Sequence, residues 1–192
     1  MKFEFSLPRN TKNKAQNMVI NSNDRQHQTD KAKVTRRIRI FAYWHTLAAK
    51  DKKMAAFSPS NPCEVTVTIY SPTKSKLDPP NLYPTVKAII DGMTDAGIWT
   101  DDNHKVIKKL SFVYGGLSEE KGHYRLVFDI EEVYEVRLKN IDDYLVKTSN
   151  NEYHFYYNIF TQNRNHTRKE LEQAGFGWVF DCPGIEIEEV KK

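Results

Sequence analysis

Two β-like segments bracket one helix-length stretch, and this arrangement constrains the fold more than any other feature. Cys63–Tyr70 sets Val65, Val67 and Ile69 against Glu64, Thr66, Thr68 and Tyr70, and Val106–Tyr114 reads as a second strand. Between them, Val86, Ile89, Ile90, Met93 and Ala96 make the apolar stripe of an amphipathic helix, while Lys87, Asp91 and Asp95 recur every four residues on the other side. Pro84 suits a first helical turn, where its missing N–H has no intrahelical partner. Gly97 stands where a helix of this length ends.

The rest of the chain extends this strand-helix-strand unit. Lys2–Leu7 alternates Phe3, Phe5 and Leu7 with Lys2, Glu4 and Ser6, a half-buried strand ended by Pro8. Arg9–Asn17 has no period and reads as a loop or arm. Thr29–Lys50 reads as a helix capped by Thr29 or Asp30, with Val34, Ile38, Phe41, Ala42, Leu47 and Ala48 along one stripe. Gly115-Gly116 opens a turn through Gly122, after which Tyr124–Ile130 is expected to pair back as a hairpin strand. The expected order is β-α-β-α-β-β. This is an α+β (α/β-like) fold, a mixed sheet of about four strands with two helices on one side. It spans residues 1–135. Residues 136–192 are expected to form a small C-terminal α+β appendage: a short helix at Ile141–Val146, an aromatic strand at Tyr153–Phe160, a helix at Thr167–Ala174 and strands at Phe176–Phe180 and Ile185–Val190. Thr167 and Glu170 have the spacing of a capping box.

Composition excludes several classes. No apolar run approaches the ~20 residues that cross a bilayer, and the alternating N-terminus lacks the apolar core of a signal peptide. Cys63 and Cys182 are too few for a disulfide framework or a zinc motif, so two reduced thiols in a cytoplasmic protein are expected. Charge is uneven. Residues 1–60 hold thirteen lysines and arginines against four carboxylates, and the balance turns acidic beyond Glu131. A basic N-terminal third suits either a polyanionic partner or a solvated face. Arg36, Arg37 and Arg39 lie off the apolar stripe of their helix, so they either line a DNA path or solubilise it. Tyr153, Tyr156, Tyr157 and Trp178 either stack on bases or fill a core.

The stretch Asp78–Asp102 carries the chemistry. Asp78 stands in a Pro-rich turn before the helix, and Asp101 and Asp102 follow it. Carboxylates from two loops at the ends of one helix are one way to hold Mg2+, which wants oxygen ligands and takes one or two from protein. The alternatives are plain: Asp78 as a turn former, Asp101-Asp102 as a turn or cap, and Lys87 with Asp91 as an i,i+4 pair worth about 0.2–0.5 kcal/mol. Asn21–His27, NSNDRQH, is either a turn whose Asn and Asp bond their own backbone or a place where Arg25 and His27 meet phosphates.

The sequence Asp78, Asn81, Leu82, then Lys87-Ala88-Ile89-Ile90-Asp91-Gly92-Met93, Ala96-Gly97 and Asp101-Asp102 resembles the RusA family of Holliday junction resolvases, phage and prophage endonucleases that cut four-way DNA junctions with Mg2+. Order and spacing agree from Lys87 to Asp102, with Met93 in place of Leu. Two departures stand out. Pro80 occupies the place of the family's second Asp, and three residues are inserted between Asn81 and Lys87. The Asp-Pro-Pro-Asn form, and the NSNDRQH run before the first helix, are similar to a Gram-positive and actinobacterial branch of RusA-like proteins. The resemblance covers about residues 1–135. It implies metal binding at Asp78 and Asp102, with Asp101 and Asp91 as further candidates, and a phosphate role for Lys87. Mn2+ is expected to substitute for Mg2+. Nucleic-acid contacts are expected from Arg25, His27, Arg36, Arg37, Arg39, Lys76 and Asn81. It also implies a homodimer acting on branched DNA in a bacterial or phage-infected cell. The alternative is a RusA-derived protein that binds DNA or another protein, catalysis being weakened by Pro80 and residues 136–192 serving as the partner surface.

Overall fold

The computed structural model describes residues 1–74, 76–139, 143–147, 151–157 and 164–189. The fold is mixed α+β. Strand β1 (Lys2–Pro8) is followed by helix α1 (Gln28–Ala49), β2 (Cys63–Ser71), a 3-10 turn (Pro79–Leu82), α2 (Tyr83–Asp95), β3 (Ile107–Leu117) and β4 (His123–Leu138). Then come β5 (Asp143–Lys147), β6 (Tyr153–Tyr157), β7 (Asn165–Thr167), α3 (Arg168–Gln173), a second 3-10 turn (Gly177–Asp181) and β8 (Ile185–Glu189). Among the described residues no helix is long and apolar enough to cross a membrane.

The chain divides into two compact units. The first comprises Met1–Ala56, Val65–His104 and Lys109–Ile130, and the second Phe57–Glu64, Lys105–Lys108 and Glu131–Lys192. The expected boundary at residue 135 falls inside β4.

In the first unit, β1 lies antiparallel on β4, with Phe3 opposite Phe128 and Phe5 opposite Leu126. Phe5 and Phe128 meet edge to face at 5.5 Å, and both are fully buried. The alternation of β1 therefore does what its sequence predicts, Phe3, Phe5 and Leu7 inward and the polar residues outward. Helix α1 covers this face, Phe41 meeting Phe5 at 6.4 Å. Helix α2 buries Val86, Ile89, Ile90 and Met93. The two helices approach closely at Gly92, where an added Cβ would stand 2.8 Å from the Ala42 Cβ and collide with the Arg39 carbonyl. The second unit has its own core of Val136, Leu145, Leu171 and Val179, with Tyr153, Phe155, Phe176 and Phe180 packed on it.

Several expectations are corrected. The sheet has eight strands where about four were expected, because β5 to β8 join it. Tyr124–Ile130 does not form a hairpin with the preceding strand, since β2 lies between β3 and β4. Strands β2 and β3 start and end together: Cys63 N–H donates to the Val106 carbonyl at 2.8 Å, and Ser118 N–H to that of Ser71 at 2.7 Å. They are thus parallel, which the intervening helix permits. Gly115-Gly116 continues β3 rather than opening a turn, and Gly115 lies tight against Thr68 and Tyr70. Residues 143–146 of the expected Ile141–Val146 helix are strand, each pairing with β6, and 141–142 lie outside the described residues. A short apolar run carries too little period to separate the two states. Phe176–Phe180 is no strand but a 3-10 turn closed by Val179 N–H on the Phe176 carbonyl at 3.1 Å. Residues 158–160 and Val190, expected as strand, lie outside the described residues. The N-cap of α1 is His27, not Thr29 or Asp30, its Nδ1 accepting from Thr29 N–H at 3.4 Å. The capping box of α3 is present as read, Thr167 and Glu170 bonding each other's backbone N–H.

Candidate functional site

Helix α2 and its exits position the central residues. At its end Gly97 takes φ +73°, Ile98 N–H donates to the Met93 carbonyl at 3.1 Å and Gly97 N–H to that of Thr94 at 2.9 Å. This is a Schellman ending, with buried Ile98 folded back toward buried Met93. Trp99, also buried, donates from Nε1 to Thr94 Oγ1 at 2.5 Å. The loop is thus anchored before it presents Asp101 and Asp102.

Lys87 and Asp91 share a face of α2, and Asp102 comes to the same point. The Lys87 ammonium donates to Asp91 Oδ1 and, at 2.5 Å, to Asp102 Oδ2. All three side chains are partly exposed, 41% for Lys87, 26% for Asp91 and 23% for Asp102. Burial lowers the lysine pKa, but the bonds to Asp102 and Asp91 outweigh it and hold the group above its usual value. Lys87 is therefore charged at neutral pH. A second cation stands nearby. Arg39 of α1 grips Asp95 through Nε at 2.6 Å and a second nitrogen at 2.7 Å, and feels Asp91 and Asp102 as well. Lys87 thus holds Asp91 and Asp102, and Arg39 holds Asp95 one turn further along α2.

At the other end of α2, two sequence motifs meet. Ser22 N–H donates to the Asn81 carbonyl at 2.7 Å. Thr85 Oγ1, fully buried, accepts from Ile20 N–H at 2.7 Å and donates to the Ile20 carbonyl at 2.8 Å. The Asn21–His27 loop is therefore docked where the Pro-rich turn enters α2. It is folded around Asp24, which accepts both Arg9 nitrogens, at 2.8 and 2.6 Å, and Asn21 N–H at 2.9 Å. Burial raises the Asp24 pKa, but the Arg9 and Asn21 bonds outweigh it and bring the carboxyl below its usual range.

The other expected site residues fall in distinct places. Asp78 is exposed before the 3-10 turn; its carboxylate caps nothing, while its carbonyl accepts from Asn81 N–H at 3.0 Å. Asp101 is engaged in its own loop, accepting from Asp102 N–H at 2.8 Å and the Asn103 amide at 2.7 Å. Among the described residues, no three His, Cys, Asp or Glu side chains gather as a metal-binding group. Arg37 is turned inward, donating to the carbonyls of Lys14, Ala15 and Asn17. His27 is committed to capping α1. Arg25, Arg36 and Lys76 are exposed.

Sequence reasoning missed Arg9, Asp24 as its partner, Thr85 and the Arg39–Asp95 pair. Asp95 left a trace as the third member of the Lys87, Asp91, Asp95 series, Arg39 as a residue off its helix's apolar stripe, and Asp24 as a turn acid bonding its own backbone. Compared with known proteins, the chain matches no family model and no curated protein.

Proposed function

We propose that the chain is a RusA-like, metal-dependent endonuclease acting on branched DNA, four-way junctions above all. The observation that carries this reading is the convergence of Asp91 and Asp102 on the Lys87 ammonium. Docking of the Asn21–His27 loop at the start of the same helix adds to it. The residues fit a hard cation: their donors are oxygens, they are partly exposed, and two of them already meet at one positive charge. Mg2+ takes one or two carboxylates from protein and completes its shell with water and phosphate. Asp91 and Asp102 would hold Mg2+ or Mn2+; Asp78, which the resemblance implicates, does not gather with them as a third ligand among the described residues. The metal would supply charge neutralisation on the scissile phosphate and a water of lowered pKa.

The chain's own side chains do the rest. Lys87, kept protonated, stabilises negative charge developing on the phosphate. Asp91 orients Lys87, and Arg39 stays fixed on Asp95 at the rim. Arg25, Arg36, Lys76 and Asn81 hold the nucleic acid, with Asp101 shaping the loop that carries Asp102. Cutting two strands of a junction symmetrically calls for two such sites, hence a homodimer, in the cytoplasm of a bacterial or phage-infected cell.

The test is incubation of the protein with a synthetic four-way junction and a matched duplex, in Mg2+, Mn2+ or EDTA. Paired, metal-dependent nicks in the junction alone are expected. Asp102→Asn is expected to abolish cutting and retain junction binding; undiminished cutting by that variant overturns the reading. Pro80, in place of an acid, favours a second reading in which the protein grips branched DNA without cutting it and residues 136–192 engage a protein, such as a host recombination or defence factor. Binding without nicks in either metal selects that one.

A further inference from the structure

We propose that the outward face of α1 is a track for an unpaired nucleic-acid strand, with phosphates on Arg25, Lys33 and Arg36 and a base stacked on Trp44. The proposal rests on the preceding reading only for nucleic acid as the partner.

A groove of about 760 Å3 lies between the segment around Asn10–Asn17 and α1. Its charged residues do two different jobs. Arg9 is bonded to Asp24, Lys14 to Asp30, and Arg37 to three carbonyls, so these build the walls. Arg25 and Arg36 are exposed with no hydrogen-bond or ion-pair partner among the described residues, and Lys33 is exposed beside them. Both acids of the groove, Asp24 and Asp30, are already paired. Arg25 and Arg36 are left to face an anion, with Lys33, which also attracts Asp30, beside them.

The groove leads to an aromatic platform. Arg36 and Ile40 also line a second hollow of about 500 Å3, together with Arg39, Tyr43, Trp44 and Asp95. Trp44 is 62% exposed and Ile40 48%. The Trp44 and Tyr43 rings meet edge to face at 4.9 Å. At 1.5 Å per residue, Arg36 and Trp44 are ~12 Å apart along the helix. Proteins that bind single strands combine a basic groove for the backbone with aromatic faces for the bases. A duplex hides its base faces, so an exposed indole beyond a basic groove favours the unpaired strand. Arg39 and Asp95 line the same second hollow, so the track reaches the last turn of α2.

The experiment uses fluorescence anisotropy with a labelled oligothymidylate and a duplex of equal length, in EDTA. The intact 192-residue chain is expected to prefer the single strand. Trp44→Ala is expected to weaken single-strand binding on the order of tenfold while leaving duplex binding unchanged. Trp44→Phe, which keeps an aromatic face, is expected to retain most of the affinity. The Lys33→Ala, Arg36→Ala double variant is expected to reduce the log-log salt slope by about 1.4, at ~0.7 per phosphate contact. Wild-type affinity in Trp44→Ala, equal losses in the Ala and Phe variants, or an unchanged salt slope would each overturn the proposal. So would a Trp44→Ala protein that sediments as a smaller species and binds the oligonucleotide normally, which marks the face as a protein contact. Thermal melts of the variants confirm the fold. A protein that grips the oligonucleotide yet nicks no junction keeps the track and removes the nuclease.

Discussion

Asp24 is the carboxylate around which the Asn21–His27 loop turns, and its bidentate bond to Arg9 is mostly shielded, with side-chain exposures of 18% and 21%. Asp24→Asn is expected to cost about 1.5–3 kcal/mol, the range for hydrogen bonds to charged groups, read as a fall in the urea midpoint. The pH dependence follows from the direction of the shift. The folded carboxyl titrates below its ordinary 3.8, so its contribution is present above that value and lost as pH falls through the lower folded one. The unfolding midpoint of Asp24→Asn is therefore expected to converge with that of the parent as the pH falls below the ordinary carboxyl range. Lys87→Ala is a contrasting case. With the lysine 41% exposed, solvent screens the pair and stability is expected to change by less than about 1 kcal/mol, while junction cutting slows far more than binding weakens. An unchanged cutting rate removes Lys87 from the mechanism. The thiols differ as well: burial pushes Cys63 up to about 12, whereas Cys182 is partly exposed. A native-state thiol titration at pH 8 is expected to give one fast and one protected group. Lys87, Asp91 and Asp102 were legible in sequence because two share a helix face and the third follows a capped helix end. Arg9 and Asp24 were not, because their pairing is settled by how the loop packs.

At the scale of elements, Gly92 sets the distance between α1 and α2. Alanine is intrinsically better in a helix by about 1 kcal/mol, but a methyl group here meets Ala42 and the Arg39 carbonyl. Gly92→Ala is expected to lower stability by about 1–3 kcal/mol despite the propensity gain, measured by thermal or urea unfolding. A gain in stability would mean the helices part without cost. Because Arg39 lies in that contact, the same substitution is expected to disturb its bond to Asp95. Elements with strong period and clear ends, β1, β2 and α2, were readable from the sequence; α1 was found as a helix, but Leu47 and Ala48 of its expected stripe are exposed while Thr46 is buried. The neighbours of β4 were not, since alternation names a strand's buried face and leaves open which strand lies beside it. The strand at Asp143–Lys147 and the 3-10 turn at Gly177–Asp181 were missed for a related reason: each is a short apolar run whose state is chosen by its partners.

For the whole molecule, the second unit recruits Phe57–Glu64 and Lys105–Lys108 from far upstream. Removing residues 131–192 would strip these two segments of the rest of their unit and leave Phe57 and Cys63, both buried in the intact chain, without cover. Truncation after Ile130 is accordingly expected to give an aggregation-prone protein, checked by soluble yield and light scattering; a monodisperse, cooperatively melting fragment would show that the first unit stands alone. The bonds between Ile20 and Thr85 join residues 65 apart in sequence. Closing so long a loop costs entropy that must be offset before the contact forms, and everything from α1 through β2 lies inside it. Docking of the Asn21–His27 loop on α2 is therefore expected to gain protection from amide exchange no earlier than α2 itself, whereas Lys87, Asp91 and Asp102 lie outside that loop and make contacts that span 15 positions at most.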